Sequence, residues 1–138
     1  MTGRVLLVDD SELNRNLIGR RIQEHGHELT VSADGSEALQ ALAEDRFDVV
    51  LLDLVMPGMD GYEVLTRIRS DARFRDVPVI MLTAMEDNET LVRCLQLGAD
   101  DYLPKSFPKE LLRARLANAI ERKRLRDRVA ELEGRTRG

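Results

Sequence analysis

The sequence predicts an α/β fold: a doubly wound, five-stranded parallel sheet in the order 2-1-3-4-5, with a C-terminal helix extending past the sheet. Three observations predict it. Five short apolar runs, "RVLLVDD", "ELTVSA", "FDVVLLD", "PVIMLTA" and "DDYLPK", recur along the chain, each followed by a helical stretch. The third of them runs nearly continuously apolar, with no alternation, which suits a strand buried on both faces. Short connections between strictly alternating strands and helices place helices on both sides of a parallel sheet.

The elements follow in order. The first strand ends in Asp9-Asp10. Leu13, Leu17, Ile18 and Ile22 recur at helical spacing after it, Asp10 or Ser11 offers the cap, and Gly26 stands where the helix stops. His25 and His27 flank that glycine, where an imidazolium suits the helix dipole. Ala38, Leu39 and Leu42 mark the second helix. The third strand, "VVLL", runs into Asp53 before Pro57 and Gly58 break the chain, and Val64, Leu65 and Ile68 mark the next helix. The fourth strand ends in Thr83-Ala84. Leu91, Cys94 and Leu95 then form an apolar stripe stopped by Gly98, with Cys94 read as packing. The fifth strand ends near Lys105, and Pro108 opens the fifth helix. Leu111, Leu112, Leu116 and Ile120 pack that helix on the sheet, and it continues through "ERKRLRDRVAELEG". Leu125, Val129 and Leu132, spaced 4 and 3, trace a heptad seam over about one and a half heptads, so the end reads either as a coiled coil or as a solvated helix. The chain divides into a domain over 1–121 and a helical extension over 122–138, a candidate coiled-coil linker.

Composition narrows the class. Apolar residues make up 43% and charged residues 33% of 138, a globular balance for one domain. The start of the chain lacks a signal-peptide pattern, and no apolar run approaches the roughly 20 residues that span a bilayer. A lone Cys94 leaves no internal disulfide and suits a reducing compartment, so the expected location is cytoplasmic, away from membranes. The net charge of −4 hides an asymmetry: residues 1–107 carry −9 (11 basic, 20 acidic) and residues 108–138 carry +5 (10 basic, 5 acidic).

In a parallel α/β sheet, ligands bind beyond the carboxyl ends of the strands. Asp9-Asp10, Asp53, Thr83 and Lys105 all fall there, and the 2-1-3-4-5 order makes the first and third strands neighbours. Two carboxylates about 4 Å apart repel by roughly 4 kcal/mol at an effective dielectric near 20. Three converging acids therefore need a cation, and oxygen ligands favour Mg²⁺ over zinc, which takes His or Cys.

The chain resembles the receiver domain of two-component response regulators. The matching residues are "LLVDDS" with Asp9 and Asp10, "LLDLVMPGMDG" with Asp53, Pro57 and Gly61, "MLTA" with Thr83, and "GADDYLPKSF" with Tyr102 and Lys105. They run in order from residue 4 to about 121. The resemblance implies the flavodoxin-like fold and a regulatory role rather than an enzyme's. By the same resemblance, Asp53 would accept a phosphoryl group from a histidine kinase or a phosphotransfer protein. Asp10 would bind Mg²⁺ directly, Asp9 mostly through water, and Val55 through its backbone carbonyl. Thr83 would hydrogen-bond a phosphoryl oxygen, Lys105 would pair with another, and Tyr102 would be the aromatic switch. The switching surface would be the fourth helix, fifth strand and fifth helix.

This sequence departs from the family pattern at Ser106, where proline usually follows the lysine. A cis bond before a non-proline residue costs about 2.5–4 kcal/mol, so a trans Lys105–Ser106 bond is expected. Leu91 and Ala114 replace charged residues of one familiar dimer face, which weighs against that dimer and leaves self-association to the C-terminal helix. Among rivals, a haloacid dehalogenase-type phosphatase needs an acid where Val55 stands, and "DDSELN" would repel the phosphate of a flavin. The run "RKRLRDR" is interrupted by acids in a chain with 4% aromatics, so a solvated helix face is expected rather than nucleic-acid binding. With no second domain in 138 residues, the chain is expected to be the receiver fragment of a longer regulator or a receiver acting alone.

Overall fold

The computed structural model describes residues 2–84 and 87–137. Strands β1 (Arg4–Val8), β2 (Glu28–Ser32), β3 (Val49–Asp53), β4 (Val79–Thr83) and β5 (Asp101–Pro104) alternate with helices α1 (Glu12–Glu24), α2 (Gly35–Glu44), α3 (Gly61–Ser70), α4 (Asn88–Gln96) and α5 (Lys109–Arg137). Every pairing is parallel and the order is β2-β1-β3-β4-β5, as expected.

The pleat divides the strand residues between two cores. Leu6, Val8, Val50, Leu52, Val79 and Met81 pack against α2, α3 and α4 through Ala38, Leu42, Val64, Leu65, Ile68 and Cys94. Val5, Leu7, Val49, Leu51, Ile80 and Leu82 face α1 and α5 through Ile18, Ile22, Leu112, Leu116 and Ile120. Each buried Val, Leu, Ile or Met among them contributes about 1.5–3 kcal/mol. β3 and β4 are buried throughout, which explains their unbroken apolar runs. β2 and β5 are edges, and the edge position tolerates Pro104, which has no N–H to donate.

Several helical details differ from expectation. Leu13, Leu17 and Leu95 are exposed at 65%, 52% and 54%. α1 packs over β1 and edge strand β2, so only the Ile18–Ile22 side of its stripe meets the core. His27 is buried, its Nδ1 accepts the Gly3 N–H at 3.1 Å, and burial lowers its pKa, all of which favour the neutral ring over the expected imidazolium. Gly26 and Gly98 do follow α1 and α4 with positive φ, as expected for helix stops.

α5 is one helix of 29 residues, about 43 Å long at 1.5 Å per residue. Position 138 of the expected extension lies outside the described residues. The basic run here is more than a solvated face. Arg122 and Arg126 approach the Asp100 carboxylate at 3.7 and 3.4 Å, Arg126 donates to the Asp76 carbonyl at 3.2 Å, and Arg124 donates to the Thr2 carbonyl. Asp100 also accepts from the Val79 N–H and from Arg69, both at 2.9 Å. The acidic body thus holds part of the basic helix. No described helix is long and apolar enough to cross a membrane.

Candidate functional site

The site lies at the carboxyl ends of β1, β3, β4 and β5. Val8 pairs with Leu52, so the next residue of each strand, Asp9 and Asp53, meets its counterpart just beyond the apolar core. The Asp9 N–H extends the ladder to the Ser32 carbonyl at 3.1 Å, and its Oδ1 accepts the Ser11 N–H at 2.9 Å. Ser11, not Asp10, caps α1, its side chain accepting the Asn14 N–H. That frees Asp10, which is exposed, to face the site. Carboxylate oxygens of Asp9, Asp10 and Asp53 all lie within 4.8 Å of one another.

Asp53 is fully buried, and its Oδ1 forms an ion pair with Lys105 Nζ at 3.0 Å and a longer contact with the Val55 N–H at 3.4 Å. The Lys105 N–H donates to the Thr83 carbonyl at 3.0 Å, continuing the β4–β5 ladder and fixing where the lysine departs. Thr83 is buried at the end of β4. There is no cis peptide among the described residues, so the Lys105–Ser106 bond is trans.

The electrostatics call for a cation. Burial pushes the Asp53 carboxyl up to about 6, while Lys105 pulls it down and the Asp9 charge raises it further. The Oδ2 atoms of Asp9 and Asp53 are both buried without a hydrogen-bond partner. A buried, unsatisfied polar atom costs about 1–3 kcal/mol, and more when charged. A hard divalent cation would satisfy both oxygens, and an all-carboxylate donor set fits Mg²⁺. The residues present therefore fit the metal expected from the sequence.

The loop after β3 is shaped by close backbone approach. The Gly61 N–H donates to the Leu54 carbonyl at 2.8 Å, and a Cβ at position 61 would lie 2.5 Å from the Asp53 carbonyl oxygen. Only glycine lets α3 begin this close to the acid. Val55 is 63% exposed beside the site, and Tyr102 on edge strand β5 is half-buried against the α2–α4 core.

The acids and Lys105 are thus brought into one cluster, with Thr83 beside them at the next strand end and Tyr102 on the adjoining strand. Arg15 was missed by sequence reading: its Nη1 donates to the Asp9 carbonyl at 2.8 Å and braces the β1–α1 turn. A basic residue in the first turn of a helix that follows two acids is the only signal the sequence carries for it.

Comparisons with known proteins identify the family. The model of the response regulator receiver domain matches residues 5–117. The chain is 40% identical over 127 residues to the response regulator MprA of Mycobacterium ulcerans, covering 92% of this chain and 54% of the relative. It is 35% identical over 133 residues to the response regulator PleD of Caulobacter vibrioides, covering 96% of this chain and 29% of the relative. The chain thus spans about half of MprA and under a third of PleD. Among solved structures, the receiver domain of the sensor histidine kinase PA1611 from Pseudomonas aeruginosa aligns with a TM-score of 0.81 at 34% identity, over 88% of this chain and 99% of that one. That structure has a magnesium ion coordinated in its active-site cleft.

Proposed function

The chain belongs to the response regulator receiver domain family, and from that premise we propose that Asp53 is its phosphoryl acceptor. The observation that carries the proposal is a fully buried carboxylate at the end of the central strand, with Oδ1 held by Lys105 and Oδ2 buried without a partner. An Asp53 oxygen attacks the phosphorus of a phosphohistidine on a histidine kinase or a phosphotransfer protein. The new P–O bond forms as the P–N bond breaks, and the imidazole nitrogen leaves with its electron pair. The product is an acyl phosphate, hydrolytically labile and hence a temporary signal.

The surrounding residues position and neutralise. Lys105 exchanges its carboxylate contact for a phosphoryl oxygen, and the Thr83 hydroxyl donates to another. Asp9, Asp10, Asp53 and the Val55 carbonyl would hold Mg²⁺, which would supply charge neutralisation on the phosphoryl oxygens. Thr83 moves toward the phosphoryl group, and Tyr102 turns inward behind it. The population shift is read on the face formed by α4, β5 and α5.

Residues 1–121 form the receiver and 122–138 a linker that carries the signal onward and brings two copies together. The protein is a cytoplasmic regulator, its output lying in a partner or in a further domain, with no direct nucleic-acid contact of its own. The phosphatase alternative is disfavoured by Val55, which has no proton to give. Labelling with a small phosphodonor such as acetyl phosphate in Mg²⁺ tests the acceptor: Asp53→Asn is expected to abolish it, and undiminished labelling would overturn the assignment.

A further inference from the structure

Two imidazoles beside the α1–β2 turn lie outside the phosphoryl chemistry. His27 is buried, and its Nδ1 accepts the Gly3 N–H at 3.1 Å. The other end of that peptide group, the Thr2 carbonyl, accepts from the guanidinium of Arg124 on the extension of α5. The N–H and C=O of a planar trans peptide point in opposite directions. One rigid plane therefore bridges the turn after α1 and the helix that runs past the sheet.

The segment around this peptide is closely seated. The Gly3 carbonyl accepts the Glu28 N–H at 2.9 Å, and the Arg4 N–H donates to Asp48 Oδ2 at 2.8 Å. A Cβ at position 3 would lie 2.7 Å from that Asp48 oxygen and 3.1 Å from Ile120 on α5. A Cβ on Gly26 would lie 3.1 Å from the Thr2 side chain. The start of β1 thus fills the space between the α1–β2 turn, the approach to β3, and α5. From elsewhere on the body, Asp100 and the Asp76 carbonyl hold the same stretch of helix through Arg122 and Arg126.

We propose that His27 and the Thr2–Gly3 peptide form an acid-released latch on the α5 extension, independent of the phosphoryl chemistry. A neutral imidazole has one acceptor nitrogen, and here Nδ1 is that nitrogen. A proton taken up from solvent turns it into a donor. Two N–H groups then face each other, the contact breaks, and the peptide plane turns away from Arg124. The surroundings resist that proton. Burial, His25 and the chain's amino group disfavour the charged ring, Asp48 favours it, and Arg124 adds a positive charge beyond the peptide. The His27 pKa therefore lies below the ordinary 6.5. The latch holds at neutral pH, and its contribution is lost as pH falls from 6.5 through the lowered value. The extension then loses one hold while its Asp100 and Asp76 contacts remain.

An NMR titration of the 138-residue chain, from about pH 7.5 to about pH 5, tests the latch. The Gly3 amide and the Arg124 side-chain Nε–H are expected to shift together with the His27 imidazole. Protection of the Gly3 amide from hydrogen exchange is expected to fall about tenfold. In His27→Asn, an amide oxygen stands in for Nδ1 and accepts at every pH, so both responses should vanish. His25→Gln should keep them and raise their midpoint, because His25 disfavours the charged His27. Asp53→Asn removes a carboxyl that titrates near 6 at the far end of β3, and should leave them unchanged. A Gly3 amide that follows His25, or an Arg124 that stays fixed while Gly3 moves, would overturn the latch in the wild type alone. So would a His27 that stays neutral until the chain unfolds, a response that survives in His27→Asn, or one lost in Asp53→Asn.

Discussion

Asp53→Asn is predicted to stabilise the metal-free protein while abolishing its phosphorylation. The buried carboxyl titrates near 6 in the folded state, against 3.8 for the free side chain. Between those values the folded chain binds the extra proton, so stability falls as pH rises through this window. About two pKa units correspond to about 3 kcal/mol of destabilisation at pH 7, shrinking to about 1 kcal/mol at pH 4.5. Asparagine mimics the neutral acid and removes that cost. Urea unfolding in EDTA should therefore place the variant about 3 kcal/mol above the wild type at pH 7, with the gap closing on acidification. His27, whose pKa is lowered by burial, acts in the opposite sense but is present in both proteins and cancels in the difference. Asp45 and Asp71, held down to about 2 by Arg4 and Arg73, lose their contribution only below the window. Saturating Mg²⁺ should narrow the gap by stabilising the wild type more than the variant, which lacks one of the three carboxylates. A variant no more stable than the wild type in EDTA, or a gap independent of pH, would refute the electrostatic reading of the site.

Three further outcomes follow from the packing. Gly61→Ala places a methyl 2.5 Å from the Asp53 carbonyl oxygen and should cost about 1–3 kcal/mol in urea unfolding, with phosphodonor labelling lowered as the acid shifts. Lys105→Met removes the cation 3.0 Å from Asp53, so labelling should fall by roughly tenfold or more, and the stability that the metal-free protein loses on raising the pH should grow and continue to higher pH. Asp100→Ala leaves the Val79 N–H and the Arg69 guanidinium without their carboxylate and releases Arg122 and Arg126. A loss of about 2–3 kcal/mol is expected, with earlier proteolysis of the extension.

What the sequence revealed, and what it hid, divides by distance along the chain. The strands announce themselves through local runs such as Val49–Leu52, and the handedness of parallel crossovers then leaves few orders for five of them. Once β1 and β3 are neighbours, Asp9 and Asp53 must converge, so the acid cluster was legible although 44 residues separate the two. Exposure was less legible. Leu13, Leu17 and Leu95 fit a helical stripe, but periodicity reports a direction and not how wide a strip the neighbouring elements cover. The Asp100 network was invisible, because Arg69 lies 31 residues away and Arg126 lies 26, with no pattern linking either to that acid. Long side chains reaching across an edge leave no periodic trace.

The two polar clusters also explain each other by contrast. Asp100 is answered on all sides, by Arg69, the Val79 N–H, Arg122 and Arg126, and it fastens the amino end of β4 and the extension to the body. Asp53, at the opposite end of the neighbouring strand, is answered by one lysine and left with a buried oxygen unmatched. A fold selected only for stability would pair both acids. An unmatched carboxylate raises the free energy of the resting state by about the amount that a cation or a phosphoryl group can recover on arrival, so binding at that site has differential energy to spend on a conformational shift. A fully satisfied Asp53 would hold the protein more firmly and leave the incoming group nothing to bias. On the role proposed for Asp53, that unmatched oxygen would be the physical source of the switch, while the saturated Asp100 network holds the far end of the sheet and the extension together.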